Sequence, residues 1–137
     1  MFRNILVATD GSDHAKNAVD YACHLAERYE STVHAVFVVD TNVTGEPALS
    51  SGEVLVSELE DYGRDVLDEV LETAEYRAID CEIARRHGTP HEAIVAEADD
   101  VDADIIVLGY QGTSAASAVG STASRVMRAT DRPVLTV

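Results

Sequence analysis

A glycine-rich stretch, GYQGTSAASAVGST, covers residues 109–122 and directly follows the apolar run IIVL. Three glycines and a Ser-Thr pair in this position can turn backbone N–H groups and hydroxyls towards a phosphate. The stretch contains no lysine or arginine, so main-chain dipoles and hydroxyls would have to bind the anion. A structural loop without a ligand is the alternative interpretation.

The tripeptide Asp10-Gly11-Ser12 follows another apolar run, close to the start of the chain. It is typical of a turn and helix cap, and its carboxylate can also face a ligand. Motifs for strong catalysis are missing, because the sequence has no P-loop lysine and no evident Ser-His-Asp set. His87 and His91 straddle a predicted strand end and helix start, unlike a zinc pair on one helix face. We therefore expect neither a catalytic residue nor a metal site.

Charge and composition limit the partners of this chain. Its 137 residues include 25 acidic and 10 basic side chains, which give a formal net charge of −15. Such a surface repels nucleic acids and anionic membranes, and no apolar run approaches the ~20 residues of a membrane span. The N-terminus lacks a signal-peptide cleavage site, so we expect a cytoplasmic protein. The acidic excess suggests a salt-rich, halophilic cytoplasm, because salt screens the repulsion.

Hydrophobic periodicity predicts an alternation of strands and helices. Strands are predicted at residues 3–9, 32–39, 80–86, 104–108 and 134–137, helices at 13–30, about 55–74, 89–99 and 121–130, and a loop at 40–52. Thr89, Pro90 and Glu92 suggest a capping box at the third helix, and Cys23 and Cys81 are expected to be reduced core residues. Alternation predicts an α/β fold with a parallel sheet and helices on both faces, in one domain over residues 1–137.

Ligands of open α/β sheets bind beyond the carboxyl ends of the strands, where the strand order reverses. With the order 3-2-1-4-5, this reversal lies between the first and fourth strands. The loops that leave these strands are Asp10-Gly11-Ser12 and residues 109–112. The two candidate ligand loops are therefore expected to face each other.

Five segments carry a family resemblance. They are VATDGS (7–12), GTPHEAIVAEA (88–98), ADIIVLGYQG (103–112), GST (120–122) and RPVLTV (132–137). As an ordered set that spans the chain, they resemble the universal stress protein family. The resemblance implies a Rossmann-like open five-stranded sheet of order 3-2-1-4-5 and a homodimer formed through the last strand. In one branch ATP is bound through a G-x2-G-x9-G-S/T motif, whereas another branch lacks the motif and binds no nucleotide.

The motif is present here with a shortened spacer. Gly109 and Gly112 supply G-x2-G, Gly120 and Ser121 supply the last pair, and seven residues rather than nine lie between the two pairs. Two missing residues remove up to about 7 Å of extended reach. The spacer TSAASAV is small and neutral. The start of the last helix would still present N–H groups, a positive dipole end and the hydroxyls of Ser121 and Thr122.

Carried over position by position, the resemblance implies an adenine-nucleotide site. Asp10 would lie near the adenine and ribose, and the backbone of Val38 would meet the adenine edge. The implied set is Ala8, Thr9, Asp10, Val38, Leu108, Gly109, Gly112, Gly120, Ser121 and Thr122. Mg²⁺ would bridge phosphate oxygens of the nucleotide. No cluster of protein ligands for the ion is evident in the sequence.

The last predicted strand, residues 134–137 (VLTV), is an apolar edge without lysine or internal proline. Such an edge is expected to pair with the same strand of a second copy. Three functions remain open at this point. They are a cytosolic stress-response module that binds ATP or a related adenine nucleotide, a dimeric interaction protein of the same fold without nucleotide, and a slow ATPase.

Overall fold

The computed structural model describes residues 2–41, 50–110 and 121–137, with the backbone alone over residues 50–55. Strands and helices alternate along the chain, as the periodicity predicts. The strands are β1 (Asn4–Ala8), β2 (Thr32–Asp40), β3 (Cys81–Gly88), β4 (Ile105–Leu108) and β5 (Val134–Thr136). The helices are α1 (Asp13–Tyr29), α2 (Ser50–Tyr76), α3 (Pro90–Asp100) and α4 (Ser121–Ala129).

The strands form one parallel sheet of order β3-β2-β1-β4-β5, which confirms the predicted α/β class and strand order. Central β1 pairs with β2 and β4, so that Ile5 lies opposite Val33 on one side and Ile105 on the other. Residues 5–7 of β1 are fully buried, because neighbouring strands and helices cover both faces of a central parallel strand.

The two faces of the sheet carry separate apolar clusters, because successive side chains of a strand point to opposite faces. Ile5 and Val7 of β1 belong to a cluster with α1 and with Leu67 of α2. Leu6 belongs to a second cluster that includes Ile94 of α3 and Val126 of α4. Helices α1 and α2 therefore cover one face of the sheet, and α3 and α4 cover the other.

Two details of the sequence prediction are wrong. Helix α2 begins at Ser50 and β2 extends to Asp40, so the predicted loop of residues 40–52 is too long at both ends. Gly52 lies within α2, where one glycine costs about 1 kcal/mol, a cost that a 27-residue helix tolerates. Thr89 is the N-cap of α3 and Pro90 its first residue, but the Thr89 side chain makes no capping hydrogen bond.

Arginine side chains connect the helices to the rest of the fold. Arg77, just beyond α2, binds Glu27 of α1 at 2.7 Å and Asp20 at 2.8 Å. Arg86 of edge strand β3 binds Glu97 of α3 at 2.7 Å and also contacts Asp100. These pairs hold α1 against α2 and α3 against β3.

None of the described helices is both long and apolar enough to cross a bilayer.

Candidate functional site

The loops that leave β1 and β4 lie against each other. Val7 of β1 is opposite Val107 of β4 in the parallel register, so both strands end at the same edge of the sheet. Gly109, one residue beyond β4, lies against the first turn of α1. A Cβ atom at Gly109 would be 2.8 Å from the carbonyl carbon of His14 and 3.0 Å from the amide nitrogen of Ala15. This close approach of two backbones requires glycine.

Local hydrogen bonds shape the loop between β1 and α1, residues 9–12, which we call the β1 loop. The Ser12 N–H donates to Asp10 Oδ1 at 2.9 Å, and the Gly11 N–H donates to Thr9 Oγ1 at 3.2 Å. Ser12 is the N-cap of α1, and its Oγ accepts the Ala15 N–H at 3.2 Å. Gly11 has φ = +82°, a left-handed conformation that glycine adopts readily. The turn holds the Asp10 carboxylate at the end of β1.

The apolar residues of the predicted site share the face of the sheet covered by α3 and α4. Ala8, Val38 and Leu108 belong to the same cluster as Ala123 in α4. Val38 lies two residues beyond Val36, whose carbonyl oxygen accepts the Thr9 N–H at 3.0 Å. A helix that follows a parallel strand begins at the carboxyl edge of the sheet. This edge therefore combines an apolar surface with a helix N-terminus.

Six of the predicted residues lie near or just beyond the carboxyl ends of β1, β2 and β4. They are Ala8, Thr9, Asp10, Val38, Leu108 and Gly109. Ser121 and Thr122, both partly exposed, begin α4 there. Thr9 is 5% exposed, and its hydroxyl accepts the Gly11 N–H, so its side chain has a role in the turn. Gly112 and Gly120 lie outside the described residues. The contribution of the shortened glycine spacer stays a prediction.

A cleft of about 300 Å³ lies on the opposite face of the sheet, between α1 and α2. Its lining includes buried Val66 and Val70 of α2 and exposed Lys16 of α1, the only lysine of the chain. The cleft shares Thr9 and Gly11 with the β1 loop. It does not include the apolar residues on the α3/α4 face, so cleft and predicted nucleotide site lie on different sides of the β1 loop.

Sequence reasoning missed Tyr62 of α2 as a residue of this region. Its hydroxyl donates to the carbonyl oxygen of Asp10 at 3.2 Å. Hydrophobic periodicity indicated only that Tyr62 belongs to the second helix, predicted at about residues 55–74. The available signal was Gly63, because a glycine inside an otherwise regular helix often marks a close packing contact.

Neither cysteine is suited to act as a nucleophile. Both are free, as predicted, although Cys81 is only partly buried. Burial raises the pKa of the Cys23 thiol, and burial raises the pKa of Cys81 to about 11. The thiolate is the reactive form, so both side chains stay protonated near neutral pH. Among the described residues, no group of three or more His, Cys, Asp or Glu side chains is arranged to hold a metal ion.

Comparison with known proteins identifies the family. The profile of the Universal stress protein family matches residues 1–137. The chain belongs to this family. A universal stress protein of Methanocaldococcus jannaschii is 32% identical over 140 residues, which cover 100% of this chain and 82% of the relative. The structure of the universal stress protein UspA of Lactobacillus plantarum is similar with a TM-score of 0.83 at 28% identity, covering 99% of this chain and 97% of that one.

Two solved structures of the same fold contain adenine nucleotides. A universal stress protein in complex with cAMP has a TM-score of 0.72 at 24% identity and covers 99% of this chain and 96% of that one. A universal stress protein family protein of Arabidopsis thaliana with AMP bound has a TM-score of 0.74 at 16% identity, with coverages of 98% and 90%. At these identities the likeness establishes the fold alone.

Proposed function

We propose that this universal stress protein is a regulatory module that binds ATP or a related adenine nucleotide at the carboxyl edge of β1 and β4. The observation that carries the proposal is the contact between Gly109 and the first turn of α1, which brings both candidate loops to the point where the strand order reverses. The cAMP and AMP complexes of two proteins of this fold support an adenine nucleotide as the ligand.

We propose a matching chemical group for each part of the nucleotide. The apolar side chains of Ala8 and Leu108 and the backbone of Val38 suit the adenine ring. The Asp10 carboxylate suits the ribose hydroxyls, since a carboxylate accepts hydrogen bonds. The proposed phosphate ligands are the glycines of the motif and the start of α4. They are Gly109, Gly112, Gly120, Ser121 and Thr122.

The phosphates would bind through N–H groups and hydroxyls at the N-terminus of α4, where the helix dipole favours negative charge. Mg²⁺ that arrives with the nucleotide would offset part of the repulsion from a chain of net charge −15. Hydrolysis relies on positioned cations and a group that orients the attacking water. The described part of the site offers no lysine or arginine for this role, so any hydrolysis would be slow.

Thermal unfolding with and without Mg-ATP in a high-salt buffer tests the proposal. At 100 times its Kd, a ligand adds about 2.7 kcal/mol of stability, which raises the Tm by roughly 5–11 °C for a domain of this size. Asp10→Asn retains an acceptor for the Ser12 N–H but removes the charge, so it should weaken binding. Asp13→Asn, at the exposed start of α1, is the matched control and should bind normally.

The absence of a Tm shift at millimolar ATP would reject nucleotide binding. It would favour the second candidate, a dimeric interaction protein without nucleotide, which the spacer of seven residues between Gly112 and Gly120 supports. Phosphate release above background that disappears in Asp10→Ala would favour a slow ATPase instead.

We also propose a homodimer formed through β5. This strand is the last of the sheet, and all three of its residues are only partly buried. The Val137 N–H faces β4 and donates to the Leu108 carbonyl oxygen at 2.9 Å, so in the alternating pattern the Thr136 N–H points away from β4. Thr136→Pro removes this outward donor and should produce a monomer in sedimentation equilibrium. A wild-type protein that sediments as a monomer would reject the dimer.

A further inference from the structure

Tyr62 connects α2 to the β1 loop across a long stretch of sequence. Its hydroxyl donates to the Asp10 carbonyl oxygen at 3.2 Å. A Cβ atom at Gly11 would be 2.1 Å from the Tyr62 hydroxyl oxygen and 2.9 Å from the ring carbon that bears it. Gly11 therefore leaves the space that the tyrosine hydroxyl occupies, in addition to adopting the left-handed turn.

Packing against β2 holds the Tyr62 ring in this position. Phe37 of β2, which is 4% exposed, contacts the Tyr62 ring edge-to-face with a centroid distance of 5.9 Å and an interplanar angle of 72°. A Cβ atom at Gly63 would be 2.5 Å from Phe37 Cδ1, so this glycine is what allows Phe37 to approach α2. Such aromatic pairs add to the stability supplied by burial. Tyr62 is 45% exposed, yet its ring direction is set by a buried neighbour.

A second side chain of α2, Val66, also approaches the β1 loop at Gly11. The same Cβ position at Gly11 would be 3.0 Å from Val66 Cγ2, one helical turn beyond Tyr62. Two neighbouring side chains of α2 therefore lie against Gly11. The β1 loop is therefore packed against α2.

We infer that Tyr62 is a positioning residue for the β1 loop. Its hydrogen bond orients the Asp10 peptide, and thereby the Asp10 carboxylate that the turn fixes through the Ser12 N–H. The consequence for ligand affinity rests on the proposed function. The effect on the loop itself does not depend on any ligand.

Amide hydrogen exchange by NMR in the ligand-free protein tests the effect on the loop. Tyr62→Phe removes only the hydroxyl and keeps the ring against Phe37, so the Gly11 and Ser12 amides should exchange roughly 2- to 10-fold faster, as expected for loss of one hydrogen bond. Tyr21→Phe removes the hydroxyl of an exposed tyrosine on α1 and should leave both amides unchanged. Equal exchange in wild type and Tyr62→Phe overturns the inference.

A double-mutant cycle tests the steric part of the contact. Gly11→Ala suffers backbone strain, the clash with Tyr62 and the 3.0 Å approach to Val66, whereas Gly11→Ala in a Tyr62→Ala background loses only the clash with Tyr62. Gly11→Ala should therefore lower the equilibrium constant for folding by a smaller factor in the Tyr62→Ala background than in the wild type. Additive losses overturn the inference, and this cycle does not require Tyr62→Phe to alter exchange measurably.

The Kd for Mg-ATP tests whether Tyr62 affects ligand binding. Tyr62→Phe should raise the Kd roughly 2- to 10-fold, whereas Tyr21→Phe should bind Mg-ATP as the wild type does. An unchanged Kd overturns the role of Tyr62 in ligand binding. A wild-type protein that binds no Mg-ATP rejects the proposed function instead, and the exchange and double-mutant results then decide the role of Tyr62 in the loop.

Discussion

Gly109→Ala should destabilise the protein, because the junction of β4 and α1 has no space for a methyl group. The new Cβ atom would be 2.8 Å and 2.9 Å from the carbonyl carbon and oxygen of His14 and 3.0 Å from the Ala15 nitrogen. These are backbone atoms of a helix and cannot rotate away, so α1 or the loop must move. Overpacking of this kind costs about 1–3 kcal/mol, while a stiffer unfolded chain restores about 0.4–1 kcal/mol.

The net loss is therefore roughly 0.5–2 kcal/mol, which urea unfolding followed by circular dichroism can resolve. With a slope of about 1–3 kcal/mol per molar urea, the midpoint should fall by about 0.2 to 2 M. NMR shifts of the His14 and Ala15 amides should change as well. Gly88→Ala is the comparison, since its Cβ meets nothing within 4 Å and any loss arises from its φ of +135°. An unchanged or higher midpoint for Gly109→Ala would refute a tight junction.

Three further predictions concern the stability of the fold. Arg86→Ala should cost about 1–3 kcal/mol in thermal unfolding, because Glu97, 8% exposed, loses its 2.7 Å partner; adding Glu97→Gln should recover part of the loss. The backbone N–H groups of Asn4 and Arg3 lower the pKa of Asp104 below its ordinary value of 3.8. Its stabilising effect should be complete above that value and be lost as the pH falls through the lower folded-state pKa, so urea midpoints of wild type and Asp104→Asn should converge in acid. With a net charge of −15, the unfolding midpoint should rise from low salt to molar KCl, and equal stability in both would reject the salt-rich cytoplasm.

The elements with strong local signals were predictable to within a few residues. β1 and β4 are short apolar runs, each followed within three residues by a glycine, and such runs indicate buried parallel strands. The tripeptide Asp10-Gly11-Ser12 is typical of a helix cap, and Ser12 caps α1, because capping depends on only a few neighbouring residues. The start of α2 was not predictable from hydrophobic periodicity, because the first turn of a long helix can form without contributing to the periodic pattern.

The candidate site also has features that the sequence predicts and features that it does not. The sequence by itself determined the alternation of strands and helices, for which connection rules leave few topologies. The strand order that brings the loops after β1 and β4 to one edge was implied by the family resemblance and is confirmed by the structure. Only the tertiary structure revealed that Gly109 is required by the backbone of His14 and that Tyr62 covers Gly11. These contacts join residues far apart in the chain, and their distances depend on how helices pack on the sheet. Local propensity and periodicity carry no information about such distances.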